Sequence, residues 1–273
     1  MIVVTGATGN VGRALVRVLA EAGETVTATA RRITPADVPA GVRAVPADLA
    51  EPASLRPALA GADALFLLVA GDDPDGLLAA ARAAGVRKVV LLSSQGVGTR
   101  PQSYRHPARF EAAVAASGLD WTVLRSGGMA SNAVAWAEPV RTHRTAAAPF
   151  GDVGLPFVDP DDVAEAAAAV LRQDGHEGRT YVLTGPEPTT PRARAAAIAD
   201  AIGEPVRFVE QTREEAHAQM ARFMPAPVVE GTLAILGDPT PDEQRVSPDL
   251  RTLLGRPAGT FAAWARRNAA AFR

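Results

Sequence analysis

The chain alternates between short apolar runs and longer segments in which apolar residues recur every three or four positions. Ile2–Thr5 is a β-branched run, and Leu15, Val18, Leu19 and Ala22 then follow the spacing of an amphipathic helix. The pattern predicts further strands at 25–30, 42–45, 64–69, 88–92 and 121–125, and further helices at 73–86 and 107–117. The runs at 64–69 and 88–92 are apolar throughout, which is typical of parallel strands buried on both faces. The first 130 residues therefore predict an α/β fold, a Rossmann-type doubly wound parallel sheet.

The pattern becomes less regular after residue 130. "VDPDDVAEAAAAVLR" predicts a capped helix, and "GRTYVLTG" predicts a strand that rejoins the sheet. "TPRARAAAIADAIG", "PVRFVEQ" and the residues up to 236 predict a small C-terminal α+β cap over the carboxyl edge of the sheet. We expect a core at 1–130, joined by 155–185, and a cap formed by 131–154 and 186–273.

Composition excludes several classes of function. The net charge of −2 provides no basic field for nucleic acid, and no apolar stretch approaches the roughly 20 residues of a membrane span. Cysteine is absent and the four histidines are scattered singly, so we expect no metal site. The chain starts directly in a strand-like run without a basic leader, which favours a cytoplasmic protein. We expect a monomer or a homodimer.

A glycine motif lies where the first strand passes into the first helix. In "TGATGNVG", Gly6 permits a tight turn, Gly9 lets the backbone approach a pyrophosphate, and Gly12 allows close packing of helix and strand. The start of the helix, with Thr8, Asn10 and Val11, then offers N–H groups to phosphates. The alternative interpretation is a glycine-rich turn without a ligand. The strand–helix context favours a dinucleotide site.

The end of the second strand indicates which dinucleotide is bound. A site for NAD usually has an acidic residue there, whereas this strand ends in Arg31 and Arg32. A guanidinium suits the 2′-phosphate of NADP(H), so we expect NADP(H) in preference to NAD(H). The alternative is that both arginines are simply surface residues.

Several segments together resemble the NmrA-like branch of the atypical short-chain dehydrogenase/reductases. These are "TGATGNVG", "ARR", "ADL" at 47–49, "LLSSQGV", "ASGLDWTVLRSGGMASN" and "VDPDDVAEAAAAVL…GRTYVLTGPE". The resemblance covers residues 1 to about 210, and within the group it is strongest to NADPH-dependent quinone reductases. The resemblance implies that Asp48 and Leu49 contact the adenine, and that Leu68, Val69 and Ala70 lie at the ribose and pyrophosphate. It also implies that Ser93 and Ser94 face the nicotinamide ribose. The residues implied near the nicotinamide are Gly127, Gly128, Met129 and Asn132.

The chain departs from most short-chain dehydrogenases in its catalytic pair. Those enzymes use Tyr-x-x-x-Lys, in which the lysine lowers the tyrosine pKa. Here the fourth residue after Tyr104 is Ala108, the fourth after Tyr181 is Gly185, and the only lysine, Lys88, begins a buried strand. A carbonyl–alcohol dehydrogenase of the usual mechanism is therefore disfavoured.

Local groups offer other candidates for catalysis. Tyr104 or His106 could protonate a reduced oxygen if their loop folds over the nicotinamide, and the alternative is a polar surface loop. Arg125, at the end of a predicted strand, could bind an anion of a ligand or form a structural ion pair, and we slightly favour the ion pair. In the cap, several adaptable apolar residues would suit an aromatic ligand, although core packing is the more common explanation of such residues. They are Met129, Trp136, Phe150, Met220, Phe223, Met224 and Leu233.

The sequence favours an NADPH-dependent oxidoreductase that transfers hydride to a quinone or related conjugated aromatic acceptor, without the Tyr–Lys dyad. One alternative is a non-catalytic NADP(H)-sensing regulator of NmrA type. Another is a tailoring oxidoreductase of aromatic natural-product biosynthesis. In each enzyme hypothesis the partner is a small aromatic or quinone-like substrate.

Overall fold

The computed structural model describes residues 1–273 and contains nine strands. They are β1 (Ile2–Thr5), β2 (Val26–Ala30), β3 (Arg43–Pro46), β4 (Ala64–Leu68), β5 (Lys88–Ser94), β6 (Asp120–Ser126), β7 (Thr145–Pro149), β8 (Arg179–Leu183) and β9 (Arg207–Gln211). The α-helices are α1 (Asn10–Glu21), α2 (Arg56–Leu59), α3 (Pro74–Ala83), α4 (Gly96–Thr99), α5 (Arg105–Ala116), α6 (Ala137–His143), α7 (Pro160–Arg172), α8 (Pro191–Ile202), α9 (Arg213–Met220), α10 (Ala226–Gly237), α11 (Pro241–Gln244), α12 (Asp249–Leu254) and α13 (Phe261–Arg267).

Seven strands form one parallel sheet in the order β3-β2-β1-β4-β5-β6-β8. The strand order reverses between β1 and β4, which is the point where ligands bind in open α/β sheets. The segment "GRTYVLTG" supplies β8, which pairs with β6 at the edge. The predicted Rossmann-type sheet with a C-terminal α+β cap is confirmed.

Two apolar layers cover the sheet because successive strand residues point to opposite faces. Ile2 and Val4 pack beneath α1 and α7, in a cluster of 25 buried residues. Val3 lies on the other face, in a cluster of 17 residues that includes side chains of α2, α3 and α5. The continuous apolar runs of β4 and β5 follow from this arrangement, since both of their faces are buried.

Helix ends follow the capping signals of the sequence. The Asp73 side chain accepts from the Gly76 amide at the start of α3, and Thr190 accepts from Ala193 at the start of α8. Gly203 ends α8 at φ 76°, a left-handed conformation that favours glycine. None of the helices has the length and apolar character needed to cross a membrane.

The cap contains a strand that the sequence pattern did not predict. β7 has the sequence TAAAP and pairs in parallel with β9, with Ala146 opposite Phe208. Its three alanines carry no β-branched or alternating signal. A third cluster of 13 buried residues joins β7 to α8 and α13, and it includes Ala130 and Ala133 of the segment that follows β6.

Candidate active site

The glycine turn between β1 and α1 forms a tight backbone cradle. Gly6 has φ 63°, and its carbonyl accepts a hydrogen bond from the Gly9 amide at 2.9 Å. A Cβ atom on Gly12 would lie 2.2 Å from the Gly6 carbonyl oxygen, so only glycine fits there. Gly9 caps α1 in an extended conformation, and no side chain caps the helix. The first amides of α1 therefore remain available to an anion.

A cavity opens at this end of α1 and includes Thr8, Gly9 and Asn10. The Asn10 side-chain amide donates to the Ser131 hydroxyl at 3.0 Å and so connects the turn to the segment after β6. Arg13, on the first turn of α1, is exposed and also lines the cavity. The sequence analysis did not single out Arg13, although its place directly after the glycine motif was a usable signal.

Arg31 and Arg32 follow β2 and are both exposed. Neither forms an ion pair, so the two guanidinium groups are free to meet an added anion. Asp48, after β3, accepts from the Ala50 amide at 3.0 Å through one carboxylate oxygen, as a turn-capping residue does. Leu49 follows it, and the Leu49 carbonyl lies against Gly71 of the loop after β4.

A second cavity, which we call the inner cavity, lies over the carboxyl ends of β4 and β5. Leu68 packs on the glycine turn, since a Cβ atom on Gly6 would lie 2.1 Å from a Leu68 methyl carbon. Ala70 follows in the adjoining loop. Helix α10 covers the cavity with Pro227, Val228 and Gly231, and the remaining lining residues that bear on the predicted site are Leu68, Val69, Ser93, Ser94, Tyr104, His106 and Met129.

Three side chains form a compact polar group beneath the inner cavity. Glu111 of α5 accepts from the Ser93 hydroxyl at 2.6 Å and from two nitrogens of Arg125 at 3.0 and 2.7 Å. Arg125 is therefore an ion-pair partner, which confirms the structural interpretation of this residue. Since Ser93 donates its proton to Glu111, its hydroxyl oxygen retains lone pairs that can accept from a ligand.

A third cavity, which we call the middle cavity, adjoins the inner cavity. The two share Ser94 and Tyr104. Burial raises the pKa of Tyr104, and the nearby negative charge of Glu243 adds to this increase. The phenol therefore stays protonated through the neutral range. Gly128 packs against the Phe157 ring, and the exposed Asn132 also lines the middle cavity.

The buried Glu243 forms an ion pair with the partly buried Arg100 beside Tyr104, with an Nε–Oε1 distance of 2.8 Å. Burial alone would raise the pKa of Glu243, but hydrogen bonds from Arg100, Thr240 and Thr99 lower it overall. The Glu243 side chain is only 3% exposed. The sequence analysis missed both residues because they are 143 positions apart and no local pattern connects them.

His106, at the start of α5, links this helix to the loop after β4. Its Nε2 atom lies 2.8 Å from the Gly71 carbonyl oxygen, so this nitrogen is the donor in that hydrogen bond. The ring packs edge-on against Phe110. Lys88 lies at the opposite end of the sheet, where its ammonium donates to the Gln173 carbonyl at 2.6 Å.

The outer cavity, of about 460 Å³, continues from the middle cavity beneath the cap. The two share Asn132, Phe157, Thr232 and Leu236. Four of the apolar cap residues singled out in the sequence line it: Trp136, Met220, Phe223 and Met224. Phe150 and Leu233 instead belong to a small apolar cluster between α9 and α10. Arg194 of α8 is the only charged residue that lines the outer cavity.

Comparison with known proteins places this geometry among nucleotide-dependent reductases. Residues 6–174 match a family described as NAD(P)H-binding. The chain is 38% identical to the (4-alkanoyl-5-oxo-2,5-dihydrofuran-3-yl)methyl phosphate reductase of Streptomyces griseus subsp. griseus, over 100% of this chain and 99% of that protein. It is 34% identical to the NAD(P)H azoreductase of Xenophilus azovorans, again over 100% and 99%. The NADPH complex of an Escherichia coli NADPH-dependent quinone oxidoreductase superposes with a TM-score of 0.81, at 26% identity over 98% of this chain and 99% of that one.

Proposed function

Because this chain belongs to the NAD(P)H-binding family, in the NmrA-like branch of the atypical short-chain dehydrogenase/reductases, we propose that it uses NADPH to reduce a quinone or related conjugated acceptor. The observation that carries the proposal is the row of inner, middle and outer cavities, which begins at the carboxyl ends of β4 and β5 and continues beneath the cap. Such a row has room for a flat acceptor beside a nicotinamide. The cavities favour an enzyme over a sensor that only binds the dinucleotide.

The residues present fit NADPH. The cradle of Gly6, Gly9 and Gly12 would receive the pyrophosphate at the start of α1, and Arg31 would pair with the 2′-phosphate. Leu68, Val69 and Met129 would contact the nicotinamide half through the inner cavity, where Ser93 and Ser94 would meet its ribose. When bound, NADPH supplies the hydride for the reaction.

The proposed chemistry needs no Tyr–Lys pair. A quinone that accepts a hydride gains two electrons and one proton, and it completes reduction to the hydroquinone with one further proton from solvent. The aromatic product stabilises the intermediate oxyanion, so a dedicated strong acid is not required. Tyr104, kept protonated by its raised pKa, would donate a hydrogen bond to the acceptor oxygen. Holding the reactants face to face would supply much of the rate.

The names of the relatives support a conjugated acceptor. One is an azoreductase, one is a quinone oxidoreductase, and the Streptomyces protein is named for an alkanoyl-substituted oxo-dihydrofuran. Their shared feature is a conjugated double bond, which can accept a hydride because the neighbouring groups take up the added electron pair. The same chemistry would serve a tailoring enzyme of natural-product biosynthesis, which differs only in the identity of the acceptor.

The test measures NADPH oxidation in the presence of a panel of benzo-, naphtho- and anthraquinones. The loss of NADPH absorbance is the readout. We expect acceptor-dependent oxidation that is faster with NADPH than with NADH. Tyr104→Phe should retain activity within about tenfold, because the tyrosine contributes one hydrogen bond of roughly 0.5–1.5 kcal/mol. A loss of more than a thousandfold in that variant would show that Tyr104 is an essential acid. Tight NADPH binding without oxidation by any acceptor would favour the sensor.

A further inference from the structure

Arg194 is a buried guanidinium without an anionic partner. The residue is 6% exposed, its Nε atom has no hydrogen-bond partner, and no carboxylate forms an ion pair with it. Its neighbours are aromatic, with the guanidinium carbon 3.8 Å from the centre of the Phe157 ring and 5.4 Å from that of Trp136. Burial lowers the pKa of Arg194 to about 10, so the side chain remains a cation at neutral pH.

An unpaired buried charge is costly, and a protein usually pairs it or coordinates it. Cation–π contacts compensate only part of this cost. The other arginine at the start of α8, Arg192, is 51% exposed and still pairs with Asp152 at 3.1 Å and with Glu210 at 3.2 Å. The more deeply buried Arg194 has no such partner, which points to an anionic ligand as its counter-charge.

The position of Arg194 indicates where that ligand comes from. It is the only charged residue that lines the outer cavity, whose other polar groups include the side-chain amides of Gln211 and Gln219. No acidic residue lines this cavity, so nothing there repels an anion. Through Phe157 and Asn132 the outer cavity continues into the middle cavity, and from there to the inner cavity.

We propose that the acceptor carries an oxyanion, such as a carboxylate, sulfonate or phosphate ester, which Arg194 binds while the conjugated ring extends toward the inner cavity. This inference rests on the proposed reductase function and specifies its substrate class. The planar fork of a guanidinium pairs with two oxygens of such a group, and burial strengthens the pairing. Arg194 is then a specificity-determining residue that acts on substrate binding and takes no part in proton transfer.

The test compares binding of 2-naphthalenesulfonate with binding of 2-naphthylmethanol, by calorimetry without NADPH. We expect wild-type protein to bind the sulfonate at least tenfold more tightly than the alcohol. Arg194→Met should weaken sulfonate binding at least tenfold and change alcohol binding by less than threefold. Arg192→Gln is the matched control, on the same helix and already paired, and it should change neither.

Equal binding of the two probes to wild-type protein would overturn the inference. So would an equal loss of both in Arg194→Met, because that result assigns Arg194 a packing role alone. If Arg194→Met does not fold, Arg194→Lys takes its place: an ammonium lacks the fork, and selectivity for the sulfonate should fall while alcohol binding persists. An unchanged selectivity would contradict the proposal.

A kinetic comparison separates this inference from the proposed function. With 1,4-naphthoquinone-2-sulfonate and 2-methyl-1,4-naphthoquinone as acceptors, Arg194→Met should raise KM at least tenfold for the sulfonate only, and kcat should stay within threefold for both. Turnover of both quinones with no effect of Arg194→Met would reject the oxyanion site and leave the reductase standing. Selective sulfonate binding without any turnover would reject the quinone reductase and leave the anion site standing.

Discussion

Arg31 stands at the end of β2, where a fold that binds NAD usually has a carboxylate. It is exposed and forms no ion pair, so a 2′-phosphate would meet an unengaged guanidinium. We expect Arg31→Asp to weaken NADPH binding by about 10–100-fold, since a charge-assisted hydrogen bond is worth roughly 1.5–3 kcal/mol. NADH binding should change by less than threefold. Fluorescence titration with each nucleotide measures both constants.

The matched control for that variant is Arg82→Asp, the same change of charge on an exposed residue of α3. It should leave both nucleotides within about twofold, because exposed charges farther apart than the Debye length of roughly 8 Å are screened. Equal weakening of NADPH and NADH by Arg31→Asp would show that Arg31 does not distinguish the 2′-phosphate.

Residues differ in how far the sequence could predict their roles. The glycine cradle is encoded within eight consecutive residues, so its geometry was predictable. Arg194 was predictable in part, because it falls on the buried face of α8 with Pro191, Ala195, Ile198 and Ile202. Arg100 and Glu243 were not, since their pairing depends on how the cap folds back over α4.

At the scale of elements, Glu243 joins α11 to the end of α4. Its carboxylate accepts from the Thr240 amide at 2.8 Å in a capping box and from Arg100 at 2.8 and 2.9 Å. We expect Glu243→Gln to lower the free energy of unfolding by about 3 kcal/mol at pH 7, because it leaves the largely buried Arg100 without a counter-charge. Urea denaturation of both proteins measures the difference.

This difference should depend on pH with a defined sign. The folded pKa of Glu243 is lowered relative to the unfolded value of about 4.3, so its contribution is complete above that value. The contribution of Glu243 to the free energy of unfolding is lost as the pH falls through the folded pKa. The wild-type side chain then becomes neutral, like the glutamine of the variant. The gap between the two unfolding free energies should thus be constant from pH 6 to 8 and narrow below about pH 4. A gap that widened in acid would show that the ion pair is not its source.

Strands and helices were predictable where periodicity or a cap marks them. The strands of the large sheet follow apolar runs, and α3 and α8 begin at side chains that accept from backbone amides. β7 was not predictable because alanine fits a helix, a strand or a turn, and pairing with β9 alone selects the strand. A tertiary contact decided the structure of that segment.

At the scale of the whole molecule, burial is distributed unequally. The two clusters around the large sheet contain 25 and 17 buried residues, whereas the cluster between α9 and α10 contains three: Ala216, Val229 and Leu233. The free energy of local opening is lowest where few buried apolar contacts must be broken. We therefore expect the helices that cover the inner and outer cavities to be the part of the fold that opens most readily.

Limited proteolysis measures this opening. Phe223, between α9 and α10, is 71% exposed, whereas Phe66 and Phe110 of the core are fully buried. We expect chymotrypsin to cut the native protein first after Phe223, and Phe223→Ser should abolish that cut. Phe223 also lines the outer cavity, so 2-naphthalenesulfonate at ten times its dissociation constant should slow the cut by about tenfold if it binds only the closed form. A first cut after Phe66 or Phe110 would show that the sheet opens before the cap, and a rate unchanged by the ligand would show that α9 and α10 do not gate the cavity.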